Sequence, residues 1–199
     1  KAGADATVVA DDGTTVLMNR WLSFSDFKRL IRHGADPSTY AKSLLQAWLE
    51  QADFFGIKII TYLIRKYSLD PNTRDKNGRT ALFYSLGYGI EFDRLRKLKA
   101  SYDVTDNDGN TPLIIWVIYH NFYPLEQFPQ QYYQRQNNEG KTALHYAVIR
   151  GMASQISELL DYGADWRIKD NSGLTALDYA RELKRFDICE LMENYNHSI

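Results

Sequence analysis

Apolar residues in this chain come in short clusters with helical spacing, separated by polar loops that carry Gly, Asn and Asp. Leu44, Leu45, Trp48 and Leu49 form two pairs one helical turn apart, as do Ile59, Ile60, Leu63 and Ile64. Phe27, Leu30 and Ile31 follow the same pattern with one position missing, and so do Ile156, Leu159 and Leu160. Residues three and four apart share one face of an α-helix, so each cluster reads as the buried stripe of a short helix. The pattern predicts helices over Val16–Trp21, Ser25–His33, Thr39–Ala52 and Gly56–Tyr67, and a last one over Phe186–Tyr195. Ile114 to Ile118 is apolar on every face and must be covered on more than one side. Gly34-Ala35-Asp36-Pro37 and Asp70-Pro71-Asn72 supply breaks between these helices, because Pro cannot continue a helix and Gly readily ends one.

The loops repeat as well. Asn138-Glu139-Gly140-Lys141-Thr142-Ala143-Leu144-His145-Tyr146-Ala147 returns 33 residues later as Asn171 to Ala180. Earlier copies run from Asp75 to Leu82 and from Asp106 to Leu113, with Thr80, Thr111 and Thr142 spaced by 31. A weaker copy is Asp12-Gly13-Thr14-Thr15-Val16-Leu17. Gly140 and Gly173 sit where a tight turn calls for positive φ. Thr142 and Thr175 sit where a hydroxyl can accept from the first helical turn. Ala147 and Ala180 allow a neighbouring helix to approach closely. A fixed period of this length marks a stack of helical units.

The Gly-x-Thr-Ala-Leu-His-x-Ala motif, with Gly163-Ala164-Asp165 after the following helix, resembles the ankyrin repeat. The resemblance implies an all-α ankyrin-repeat solenoid of helix-turn-helix units with short hairpin tips. It divides a single domain, residues 1–199, into a trailing loop at 1–9 and repeats at 10–38, 39–74, 75–105, 106–136, 137–169 and 170–199, the last a polar cap. Lys1 to Asp5 resembles the loop that closes a preceding repeat, so the chain is expected to begin inside a longer protein and to end naturally. Repeat 39–74 is the most divergent and lacks the turn Gly.

Ankyrin repeats bind other proteins through a concave groove formed by the tips and the exposed ends of the first helices. Carried over by position, the tip residues are Lys76, Asn77 and Arg79, then Asn107, Asp108 and Asn110, then Asn138, Glu139 and Lys141. The helix ends contribute Tyr88, Tyr119 and Arg150. In ankyrins the motif histidine, here His145, bonds locally across the loop. The segment Asn121 to Gln136 departs from the pattern and holds Phe122, Tyr123, Phe128, Tyr132 and Tyr133. It is either a cover for the apolar 114–118 helix or a second binding surface.

Composition narrows the chemistry. A single cysteine, Cys189, excludes an internal disulfide framework and a multi-cysteine metal site, and its apolar neighbours predict a buried thiol. His33, His120, His145 and His197 lack ligand spacing, so neither a metal nor a cofactor is expected. There is no phosphate-binding glycine loop and no Gly-x-Ser-x-Gly nucleophile elbow. No apolar run is long enough to span a membrane, and no signal-peptide core stands at the start.

The net charge is −1, but it is divided unevenly. Residues 1–100 carry 16 Lys and Arg against 11 Asp and Glu, while residues 101–199 carry 8 against 14. The cations of the first half fall on second helices: Lys28, Arg29 and Arg32; Lys58, Arg65 and Lys66; Arg94, Arg96, Lys97 and Lys99. Such a stripe suits nucleic acid or an acidic partner, although a plain solvated face explains it more simply. The expectation is therefore a non-catalytic, cytoplasmic, monomeric protein–protein interaction module, with nucleic acid an improbable partner. The alternative is the recruiting region of a larger enzyme, in the style of bacterial or viral effectors delivered to eukaryotic cells.

Overall fold

A computed structural model describes residues 10–11, 14–38, 40–50, 56–85, 89–119 and 128–196. The backbone divides into two compact units, Lys1–Ser101 and Tyr102–Ile199. Both are helical, and the described residues contain no strand, only an isolated bridge between Lys169 and Thr175.

In the first unit, α1 (Phe24–Arg32), α2 (Ala41–Glu50) and α3 (Ile57–Tyr67) are followed by α4 (Ala81–Tyr84) and α5 (Gly89–Lys97). α3 is the hub, packing on α1, α2, α4 and α5. Its stripe of Ile59, Ile60, Leu63 and Ile64 is buried, as periodicity requires. Ser23 caps α1 by accepting from the Asp26 amide at 3.1 Å, which starts that helix one residue earlier than the apolar pattern suggests.

The helix expected over Val16–Trp21 is only a 3-10 turn, Val16–Met18. Asn19 stops it, because its side chain accepts from the Trp21 amide at 3.0 Å and offers the backbone an alternative to the helix. Leu17 is nevertheless fully buried, and its carbonyl accepts from Trp48 Nε1 at 2.8 Å.

In the second unit, α6 (Pro112–Tyr119), α7 (Ala143–Arg150), α8 (Ala153–Asp161), α9 (Ala176–Glu182) and α10 (Phe186–Asn196) form the stack. α7 packs on α6, α8 and α9, and α10 packs on α8 and α9. Leu113 to Val117 are all buried, as an apolar helix without a polar face must be.

The described part of the segment after α6 holds a 3-10 turn, Gln130–Tyr132. Phe128, Tyr132 and Tyr133 are buried there, with Tyr102 against both Phe128 and Tyr132 at 5.6 Å between ring centroids. The described part of the irregular segment thus serves as core, and residues 121–127 lie outside the described residues. Cys189 is half-buried rather than buried.

Candidate functional site

The tips are built on four buried Asx residues that the sequence reading passed over. Asp75, Asp106, Asn137 and Asp170 occupy the same position in successive loops, each less than a tenth exposed. One side-chain oxygen of each accepts two backbone amides, from the second and fourth residues onward. Asp75 takes Asn77 and Arg79, both at 2.8 Å, and Asp106 takes Asp108 at 3.0 Å and Asn110 at 2.9 Å. Asn137 takes Glu139 at 3.0 Å and Lys141 at 2.9 Å, and Asp170 takes Ser172 at 2.8 Å and Leu174 at 3.1 Å. This is an Asx turn that mimics a backbone hairpin.

A tyrosine nine residues on holds the second side-chain atom. Tyr84 donates to Asp75, and Tyr179 donates to Asp170 at 2.6 Å. Asn137 instead donates its amide to the Tyr146 hydroxyl at 2.9 Å. The fourth member has Ile115 in that place, and Asn110 supplies the bond to Asp106 at 3.3 Å. The readable signal was an Asp or Asn three residues before the turn Gly, with a Tyr nine residues on.

Neighbouring tips of the second unit are also bonded to each other. The Asn138 amide donates to Asp108 O at 3.0 Å, and its side chain donates to Asn107 O at 3.2 Å. Asn171 repeats both bonds one repeat later, to Glu139 O at 3.0 Å and to Asn138 O at 2.8 Å. Gly140, at φ 76°, has no room for a side chain: a Cβ would lie 2.6 Å from the Asn171 amide nitrogen.

His145 joins the two levels. Its Nδ1 accepts from the Thr142 amide at 3.1 Å, so the ring proton sits on Nε2, which faces Leu174 O at 3.3 Å. Burial lowers its pKa and outweighs the opposing pull of the Leu174 carbonyl and Asp170. At Asp170 burial pushes the carboxyl up, but the bonds from Tyr179, Leu174 and Ser172 prevail and hold it below the ordinary carboxylate range. Bonding to Thr175 holds Asp178 below that range too. Asp178 accepts from the Thr175 amide at 2.9 Å, completing a capping box.

The expected binding residues fall on this framework as follows. In the first unit Lys76 and Asn77 are exposed and Arg79 is half-buried. Tyr88 lies outside the described residues. In the second unit Asn107, Asp108, Asn138 and Glu139 are exposed at the tips, and Lys141 is half-buried, 2.7 Å from the Glu139 carboxylate and stacked over the Tyr179 ring. Asn110 is only 6 % exposed, its side chain engaged by Asp106 and Asn137.

Tyr119 is 62 % exposed at the end of α6. Arg150 is exposed at the end of α7 and donates to Val117 O at 2.8 Å. Arg185 makes the corresponding bond to Ile149 O at 2.9 Å. These arginines occupy free carbonyls at helix C-termini, where a cation is also favoured by the helix dipole.

No cluster of three or more potential metal ligands occurs among the described residues. No described helix is long and apolar enough to cross a membrane.

The repeated hairpin tip, the Thr-initiated first helix and the second helix packed on it are those of an all-α ankyrin-repeat solenoid. The family model for ankyrin repeats (3 copies) matches residues 125–199. It is 25 % identical over 137 residues to an ankyrin repeat protein of Acanthamoeba polyphaga mimivirus, covering 64 % of this chain and 18 % of the relative. It is 26 % identical over 159 residues to a palmitoyltransferase of Lachancea kluyveri, covering 77 % of this chain and 17 % of that protein. An ankyrin repeat protein of Fowlpox virus is 29 % identical over 136 residues, covering 67 % of this chain and 23 % of the relative. The chain therefore spans less than a quarter of the length of each of these three relatives. Ankyrin repeats generally mediate protein–protein interaction.

Proposed function

We propose that the second unit recognises a partner protein through the face made by its tips and the ends of its first helices. Asn107, Asp108, Asn138 and Glu139 present their side chains from the tips, with Tyr119 and Arg150 at the helix ends. Lys76, Asn77 and Arg79 offer an equivalent surface in the first unit. The carrying observation is that the backbone beneath these side chains is fixed at both levels, by the Asx turns and by the bonds between tips. A surface ordered before binding loses little conformational freedom when it binds. Tyr119 is the most exposed aromatic of the second unit's first helices, and Tyr and Arg are the residue types that most often carry interface energy.

On this reading the chain is a non-catalytic, monomeric module that works in the cytoplasm. The viral relatives support placing it inside a eukaryotic host cell. The test is capture of proteins from eukaryotic cytosol by the intact chain and by Tyr119→Ala, Arg150→Gln, with matched thermal melts. A protein captured by the first and lost by the second supports the assignment. Equal capture by both removes it.

A second reading is favoured by the palmitoyltransferase relative, of which the matched region is 17 %. In it these repeats recruit a substrate or host factor for a catalytic segment N-terminal to Lys1. Loss of modification of a captured protein on Tyr119→Ala, with full activity on a small acceptor, would support it. Unchanged modification would exclude it.

A further inference from the structure

Every second helix of this fold ends in carbonyls without intrahelical partners, and a cation in the last turn offsets the helix dipole. That benefit is open to all repeats, but among the described second helices only those of the first unit take it. α1 ends with Arg29 and Arg32, α3 with Arg65 and Lys66, and α5 with Arg94, Arg96 and Lys97, whereas the last turns of α8 and α10 carry no basic residue. The dipole alone therefore does not account for the placement. α3 packs against both α1 and α5, so the basic turns belong to neighbouring helices of one layer.

Arg94 is ion-paired with Glu91 and Arg96 donates to Ala100 O at 2.8 Å, but other cations of the set face solvent. Arg32, Arg65, Lys66 and Lys97 are exposed and have no carboxylate in ion-pair reach among the described residues. Arg29 reaches Asp26 only at 3.7 Å, between side chains 70 % and 47 % exposed, a pair of little worth. In the second unit Arg135, Lys141, Arg167 and Arg181 have carboxylate partners within 2.9 Å. The α1–α3 seam is aromatic: Phe24 meets Tyr62 edge-on at 5.9 Å, and Lys28 lies 5.4 Å above the Phe24 ring. Tyr62, Arg65 and Lys66 line a shallow recess of about 310 Å³ there.

We propose that this basic layer of the first unit is a docking surface for an acidic segment of a partner protein, a run of Asp and Glu side chains. Charge complementarity selects the occupant. Arg32, Arg65, Lys66 and Lys97 have no carboxylate within the described residues to meet them, and the aromatic seam suits the side-chain stems of an acidic segment. A long nucleic acid would also have to accommodate the covalently joined second unit, where 14 Asp and Glu outnumber 8 Lys and Arg. A short acidic segment meets the basic layer alone. None of its residues belongs to the tip face, and the proposal does not depend on that reading.

The experiment is fluorescence anisotropy of a labelled oligoglutamate peptide titrated with the complete 199-residue chain. Saturable binding at low salt should weaken as ionic strength rises to about 0.15 M, where exposed charges are screened beyond about 8 Å. Arg65→Glu with Lys66→Glu should weaken it by about tenfold, as reversal of two exposed charge contacts allows. Lys169→Glu with Lys184→Glu makes the same change in net charge in the second unit and should alter binding by less than about twofold. If the first pair disturbs the melt, Arg65→Gln with Lys66→Gln replaces it, and a smaller loss confined to that pair is expected. No saturable binding, or equal weakening by both charge-reversing pairs, would overturn the proposal. Tighter binding of a single-stranded oligonucleotide of equal charge would overturn the choice of an acidic protein as occupant.

Discussion

His145 Nε2 lies 3.3 Å from the carbonyl oxygen of Leu174, so the histidine that caps one repeat also holds the tip of the next. The bond is specific to one tautomer. Protonating Nδ1 would set a second donor against the Thr142 amide, which already donates to that atom at 3.1 Å.

This geometry gives the fold a pH dependence. Burial lowers the His145 pKa from its ordinary 6.5, so the unfolded chain takes up the proton first. Stability is therefore full above about 6.5 and falls as the pH drops from there toward the lower folded value. Urea midpoints measured from pH 8 to 5 should decline for the native chain, and less steeply for His145→Gln. Parallel curves for the two proteins would show that His145 is not the titrating group.

Acid adds a second, lower transition. Asp170 and Asp178 are held below their ordinary 3.8, so their contribution is present above that value and is lost as the pH falls through their folded pKa values. The C-terminal repeat, which contains both, should open first. Amide exchange in α9 should accelerate below pH 3.8 before that in α3, whose segment contains no carboxylate. Uniform acceleration would contradict this.

Asn137 shows which property of the tip position matters. It fills the same role as Asp170 with an amide in place of a carboxylate, accepting the same two backbone amides and pairing with the tyrosine nine residues on. Asp170→Asn should therefore be tolerated at neutral pH. Asp170→Ala strands two amides and the Tyr179 hydroxyl and should cost about 1–3 kcal/mol. Thermal denaturation of the two variants decides between an acceptor role and a charge role.

Features of the fold that rest on local physics are legible in the amino-acid sequence, and those that rest on collective packing are not. The helical stripes of α2 and α3, the first helices α7 and α9 and their turn glycines follow from spacing and from backbone sterics. The 3-10 turn at Val16–Met18 depends on the competing bond from Asn19, which an apolar pattern does not register. The short turn at Gln130–Tyr132 is set by how Tyr102, Phe128 and Tyr133 fill space, not by periodicity. At the tips, family position alone could not separate Asn110, buried in the Asx network, from Asn107 and Asn138, which face solvent. That distinction comes from the absence of a tyrosine at position 115, which leaves Asn110 to complete the bond to Asp106.

Core packing offers a direct check on the repeat register. Leu144 is 1 % exposed in α7, the helix that contacts α6, α8 and α9. Leu144→Ala should cost about 2–5 kcal/mol, the transfer of the side chain plus the cavity it leaves. A change under about 0.5 kcal/mol in a urea melt would place Leu144 on the surface and shift the register.

Gly140 and Gly173 separate local strain from the bonding between tips. Their φ angles are nearly equal, 76° and 79°, so alanine meets the same left-handed penalty at both, about 1 kcal/mol. Their surroundings differ. A Cβ at Gly140 would lie 2.6 Å from the Asn171 nitrogen, which donates to the Glu139 carbonyl at 3.0 Å, while nothing lies within 4 Å of a Cβ at Gly173. Gly173→Ala should therefore cost only the conformational term. Gly140→Ala should cost clearly more, because the next tip must move and lose its bonds to Glu139 and Asn138. Melts of the two variants measure the difference, and equal losses would mean that the tips are held independently and that the bonds between them contribute nothing to stability.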